Sequence, residues 1–151
     1  IYRLDRRAGR PQRERVIQDV EVSTDRLADF LGWFDEEIGM RPVWLCPLRL
    51  REIDGRARTW PGYPLEPGRT YVNVGFWSAV PVTPGDPGHT NKIIERKVAE
   101  LDGHKSLYSE SFYTPEEFDE LYGGESYRLL KKRYDPRGHL LDLYSKAVKR
   151  Q

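Results

Sequence analysis

The side chains in this sequence that could do chemistry are polar or reactive residues set inside apolar, strand-like runs. Gln18 and Asp19 stand next to each other in the run 16–22. Adjacent residues of an extended chain point to opposite faces, so one of them must face the layer that covers the sheet. Such a pair either closes hydrogen bonds within a sheet or offers an amide and a carboxylate to a ligand at a domain boundary. Asn73, inside 70–77, allows the same two readings. Tyr108 and Tyr113, around Ser109 and Glu110, either pack or present hydroxyls to a flat ligand. Cys46 has no Lys or His beside it to stabilise a thiolate and reads as a small buried hydrophobe. Trp60, Tyr63, Tyr71, Phe76 and Trp77 crowd one region. If the sheet face they share is bare, it awaits a partner.

Self-contained catalysis has little support. The sequence has no Gly-rich phosphate loop, no nucleophile elbow and no pair of His on one helix face. A single Cys excludes an internal disulfide, and three scattered His give no zinc-site spacing, so no metal site is expected.

The elements that must position these residues follow from periodicity. Residues 16–22 alternate apolar and polar and predict a strand. Ser23 or Thr24 can cap a helix whose stripe is Leu27, Phe30, Leu31, Phe34 and Ile38, with Gly39 as its stop. A second strand is expected over 42–52, with Pro47 marking an edge or bulge because it cannot donate to the ladder. An extended connection rich in Gly, Pro and Arg covers 53–69, and a third strand covers 70–77. Thr90 or Asn91 can cap a second helix buried through Ile94, Val98 and Leu101, and 105–113 reads as a fourth strand. Thr114-Pro115-Glu116-Glu117 is the sharpest local signal, a capping box with Pro at the first helical position. Helical stretches over 126–134 and 140–149 form a tail. The order is therefore βαββαβ. It predicts an α+β, ferredoxin-like fold: an antiparallel four-stranded sheet with helices on one face plus a C-terminal helical tail.

Composition narrows the class. Four Trp, nine Tyr and five Phe in 151 residues exclude a disordered chain. The net charge of +1 gives no global case for nucleic acid or anionic membrane. Charge is nevertheless uneven: six Arg against Asp5 and Glu14 fall in 1–15, so 1–14 reads as a basic linker or arm ahead of a domain at 15–151. No apolar run approaches a membrane span, and the start lacks a signal peptide's apolar stretch. The expectation is a soluble, cytoplasmic protein. Ile1 in place of an initiator Met adds the expectation of a piece of a longer chain.

Taken together, residues 18–22, the run Pro42-Val43-Trp44-Leu45-Cys46-Pro47, residues 71–75, and Leu107-Tyr108-Ser109 through Tyr113 with Glu117, Phe118 and Gly123 resemble the C-terminal part of FAD-linked oxidoreductases similar to delta-24 sterol reductase. These belong to the vanillyl-alcohol-oxidase-like flavoproteins, and the resemblance covers nearly everything after Arg13. It implies a cap and substrate domain that works with an FAD-binding domain of the same protein. Nothing in this sequence resembles that second domain. The implied reaction is reduction of a carbon-carbon double bond of a small hydrophobic substrate by hydride from reduced flavin, with NADPH as hydride source. On the resemblance, Gln18, Asp19 and Asn73 are cofactor-binding, Trp44, Cys46 and Tyr113 are substrate-binding, and Tyr108 is the first candidate proton donor. The alternatives are a stand-alone ferredoxin-like module for a small ligand or RNA, and a structural or oligomerising domain. The charge balance weighs against nucleic acid, and oligomeric state stays open.

Overall fold

The structure, a computed structural model, describes residue 9 and residues 11–150. Most of the arm expected over 1–14 therefore lies outside the described residues. Strand β1 (Arg13–Ser23) runs antiparallel to β5 (Thr70–Pro81) along its whole length. Strand β2 (Trp44–Arg49) pairs on the far side of β5, and the two-residue β6 (His104–Lys105) pairs on the far side of β1. The order β2-β5-β1-β6, antiparallel throughout, is a ferredoxin-like sheet. Helices α1 (Leu27–Glu37) and α2 (His89–Glu100) supply the two crossovers. A small hairpin, β3 (Glu52–Ile53) with β4 (Arg56–Ala57), occupies part of the connection expected to be merely extended.

Alternation decides which face is covered. Val16, Val20 and Val22 of β1 join Val72, Val74 and Phe76 of β5 in one buried layer. Against them pack Phe30 and Phe34 of α1 and Ile94 and Val98 of α2, with the Phe34 and Phe76 rings 4.7 Å apart. Each such side chain contributes about 1.5–3 kcal/mol by leaving water, so this layer dominates the fold's stability. A second cluster, Tyr113, Phe118, Tyr122 and Ala147, joins α3 (Pro115–Leu121) to the short α5 (Leu143–Ala147). Between them, α4 (Gly124–Tyr134) buries none of its residues.

Several local expectations are corrected. Arg13 and Glu14 belong to β1 rather than to an arm. The fourth strand stops at Lys105 instead of running to Tyr113. The buried Lys105 ammonium takes the Glu110 carbonyl and the Ser111 hydroxyl, each at 2.8 Å, and curls 106–112 away from the ladder. Neither crossover helix has the expected cap. Helix α1 starts after Arg26 and α2 after Gly88, without a side-chain cap of their own. The capping box at α3 is present in full: Thr114 Oγ1 accepts from Glu117 N at 3.2 Å, and the Glu117 carboxylate accepts from Thr114 N at 2.8 Å.

Candidate functional site

The face of the sheet opposite the helices carries the odd-numbered residues of β1 and β5. Two rows cross it. In one, Asp19 stands opposite Gly75, and Gly75 opposite Trp44. In the next, His104, Glu21, Asn73 and Cys46 follow one another across four strands. Five of the residues singled out from sequence, Asp19, Trp44, Cys46, Asn73 and, from the loop after β6, Tyr108, therefore meet on this face.

Glu21 is its buried centre, 1% exposed. Its Oε1 accepts from Asn73 Nδ2 at 2.6 Å and from Ser106 Oγ at 3.4 Å, and the Tyr63 hydroxyl faces it as a further donor. Burial raises the Glu21 carboxyl above the usual carboxylate range against these bonds, and the charge of Asp19 adds to the rise. Tyr63 is pushed well up by burial and by Glu21 in turn. One row over, the Tyr108 hydroxyl faces Asp19, and the phenol is pushed up to about 12 by burial and by that carboxylate. The Tyr108 ring itself is 60% exposed, as are Trp44 at 67% and Trp77 at 81%.

Gly75 makes room for the arrangement. A Cβ there would meet Asp19 Oδ1 at 2.6 Å and Trp44 Cβ at 3.7 Å, so the lack of a side chain lets the Asp19 carboxylate lie over the buried Gly75 backbone, beside Trp44. The chain covers only one flank of the face. Tyr63 lies edge-on to His104 at 4.8 Å, and the Tyr122 ring also packs against that imidazole, at 4.9 Å. Burial, then the charge of Lys105, lowers His104 to about 4. Among the described residues no three His, Cys, Asp or Glu side chains gather as metal ligands.

Two assignments are corrected. Gln18 is fully buried on the helix-covered face, where its Nε2 donates to Asn91 Oδ1 at 2.5 Å. It shares the parity of Val16 and Val20, so it turns away from the open face that carries Asp19. Tyr113 is buried in the second cluster beside Tyr122 and Phe118, because Lys105 draws the chain inward there. Cys46 is half-buried on the edge strand rather than sealed in the core. Glu21, Tyr63 and Ser106 were not singled out as site residues from sequence. For Glu21 a signal existed: two positions beyond Asp19 on a strand is the same face.

Comparison with known proteins gives one consistent likeness. The chain is 28% identical over 151 residues to Delta(24)-sterol reductase of Arabidopsis thaliana, covering 89% of this chain and 26% of that protein. It is 25% identical over 138 residues to Delta(24)-sterol reductase of Rattus norvegicus, covering 91% and 26%. It is 29% identical over 113 residues to the Delta(24)-sterol reductase homolog dhcr-24 of Caenorhabditis elegans, covering 73% and 20%. The chain is thus homologous to these reductases at modest identity and spans about a quarter of their length. No protein-family model matches the chain, and no solved structure matches it.

Proposed function

We propose that this chain is the cap and substrate domain of an FAD-dependent oxidoreductase that acts on a carbon-carbon double bond of a hydrophobic substrate. The observation that supports it most is the open part of the sheet face, where Trp44, Trp77 and Tyr108 are exposed around the Asp19 carboxylate. A planar redox ring needs exposed flat side chains to lie against, together with hydrogen-bonding groups at its edge. The face fits one: Asp19 and Asn73 would hold the ring edge, and Trp44 and Cys46 would wall the apolar substrate. Bound FAD would supply hydride transfer, with NADPH as hydride source, while the protein orients and excludes water.

The chain's own residues then have separable tasks. Tyr108, like any phenol, keeps its proton at neutral pH, and it is exposed on the open side with its hydroxyl facing Asp19. It is the proton donor of this reading, and Asp19 aims it. Glu21, Asn73 and Ser106 brace one another so that the sheet under the ligand cannot shift. In this reading the partner is an FAD-binding domain of the same protein, laid over Trp44 and Trp77. The free Cys46 suits a reducing compartment. Among the described residues no helix is long and apolar enough to cross a membrane. An RNA-binding role fits the same face poorly, because the Asp19 carboxylate would confront phosphate.

The test is made on the protein that carries this chain. It should show flavin absorption, release flavin on denaturation, and consume NADPH with an alkene substrate. Tyr108→Phe should leave the flavin bound and slow turnover by roughly a hundredfold or more, the usual contribution of a positioned acid. A colourless protein that releases no flavin overturns the reading.

A further inference from the structure

Helix α4 and the turn after it form an unusual surface. Leu129, Leu130, Tyr134, Leu140 and Leu141 are each more than half exposed. No residue of α4 is buried, although the helix runs for 11 residues. The turn is nevertheless built rather than loose. Asp135 accepts from His139 N at 2.8 Å and from Leu140 N at 3.0 Å, Lys131 Nζ donates to the Leu140 carbonyl at 2.5 Å, and Leu143 N donates to the Tyr127 hydroxyl at 2.8 Å. Leu140 and Leu141 are thereby held back toward α4.

The charge around this apolar surface is predominantly basic. Residues 124–141 hold Arg128, Lys131, Lys132, Arg133 and Arg137 against Glu125 and Asp135. Arg128 is spent on Asp119 and Lys131 on Asp135. Arg133 stacks over the Tyr134 ring at 5.4 Å, and Lys132 and Arg137 make no ion pair among the described residues. A near-neutral chain thus carries a local basic excess beside bare leucines. Leucine and tyrosine interleaved with Lys and Arg suit the boundary of an anionic bilayer, where apolar side chains dip below the headgroups and cations meet phosphate and carboxylate.

We propose that α4 and the turn 135–141 dock this protein onto an anionic lipid surface, lying along it rather than crossing it. The proposal stands on its own surface and does not depend on the redox reading of the sheet face.

The experiment is cosedimentation of the chain with vesicles of phosphatidylcholine, with and without phosphatidylserine. Binding is expected to the phosphatidylserine vesicles, much weaker binding to phosphatidylcholine alone, and release at about 1 M salt, where charges are screened within about 3 Å. Lys132→Gln with Arg137→Gln should weaken binding about thirtyfold, at the usual contribution per surface cation. Leu130→Ser with Leu140→Ser should weaken it by roughly a hundredfold or more. These side chains are exposed, so circular dichroism should show both variants folded. Four results overturn the proposal: no binding to anionic vesicles, binding that survives high salt unchanged, binding indifferent to both variants, or binding lost only with Arg6→Gln and Arg7→Gln in the N-terminal segment. Concentration-dependent self-association that the leucine variant abolishes, without lipid binding, assigns the surface to a second copy of the chain and overturns it equally.

Discussion

Asp19 and Glu21 lie two positions apart on one strand face, yet they live in different surroundings: one reaches across a glycine to an exposed phenol, the other is sealed by Asn73, Ser106 and Tyr63. Gly75→Ala isolates the first arrangement. The new methyl would stand 2.6 Å from Asp19 Oδ1, and a short side chain can turn aside, so the stability cost should stay within about 1–3 kcal/mol while Tyr108 loses its partner. The expected outcome is a folded protein whose turnover drops as in Tyr108→Phe; full activity in Gly75→Ala would detach Asp19 from the site. His104 offers a pH-dependent test. Its imidazole, ordinarily near 6.5, is held at about 4 by burial and by Lys105. Below pH 6.5 the unfolded chain takes up a proton that the folded ring refuses, so stability falls from about pH 6.5 to about pH 4 and then levels, by up to about 3 kcal/mol. His104→Phe, which keeps a ring against Tyr63 and Tyr122, should flatten that slope in urea titrations run at several pH values. Parallel slopes in the two proteins would remove His104 as the cause.

Among elements, α3 is the one most plainly written in the chain, and its cap is correspondingly easy to test. Thr114→Ala removes the acceptor for Glu117 N and should cost about 1 kcal/mol in urea unfolding, with Thr114→Ser recovering most of it. A loss no greater than that of an exposed surface change would mean that Pro115 and the second cluster hold the helix start unaided. Elsewhere, legibility tracked how local the forces are. The alternation of Val16, Val20 and Val22 exposed the covered face, and it also contained the answer for Gln18, which shares their parity. The expected helix caps do not form: Ser23 Oγ accepts from Arg69 at 2.9 Å and Asn91 Nδ2 donates to Glu14 at 2.7 Å, both partners remote in sequence. The fourth strand was overextended because one buried ammonium reorganises 106–112, which no side-chain period records. Tyr63 reaches Glu21 from a connection with no periodicity at all, so its part in the face emerges only from the fold.

Across the molecule, the sheet, α2 and the 106–112 loop are tied by one interior ion pair, Lys105 to Glu95 at 3.2 Å, with both side chains almost wholly buried. Glu95 also accepts from Phe112 N at 3.1 Å. Burial pushes Glu95 up and Lys105 down, each toward neutrality, against the pair's mutual attraction. Lys105→Met should cost about 3–5 kcal/mol by stranding a carboxylate, and Lys105→Met with Glu95→Leu should recover much of that in the same unfolding assay. A double variant as weak as the single one would place the loss in the loop contacts to Glu110 and Ser111 instead. The start of α2 is tied in a comparable way. Its amide groups at Asn91 and Thr90 donate to the Glu14 carboxylate at 2.8 and 3.4 Å, a clasp lent by a strand laid down far earlier in synthesis. That helix therefore has no independent beginning: during folding it must wait for the first strand to arrive, and deuterium uptake at those two amides should report the docking of β1 rather than any fraying of the helix itself.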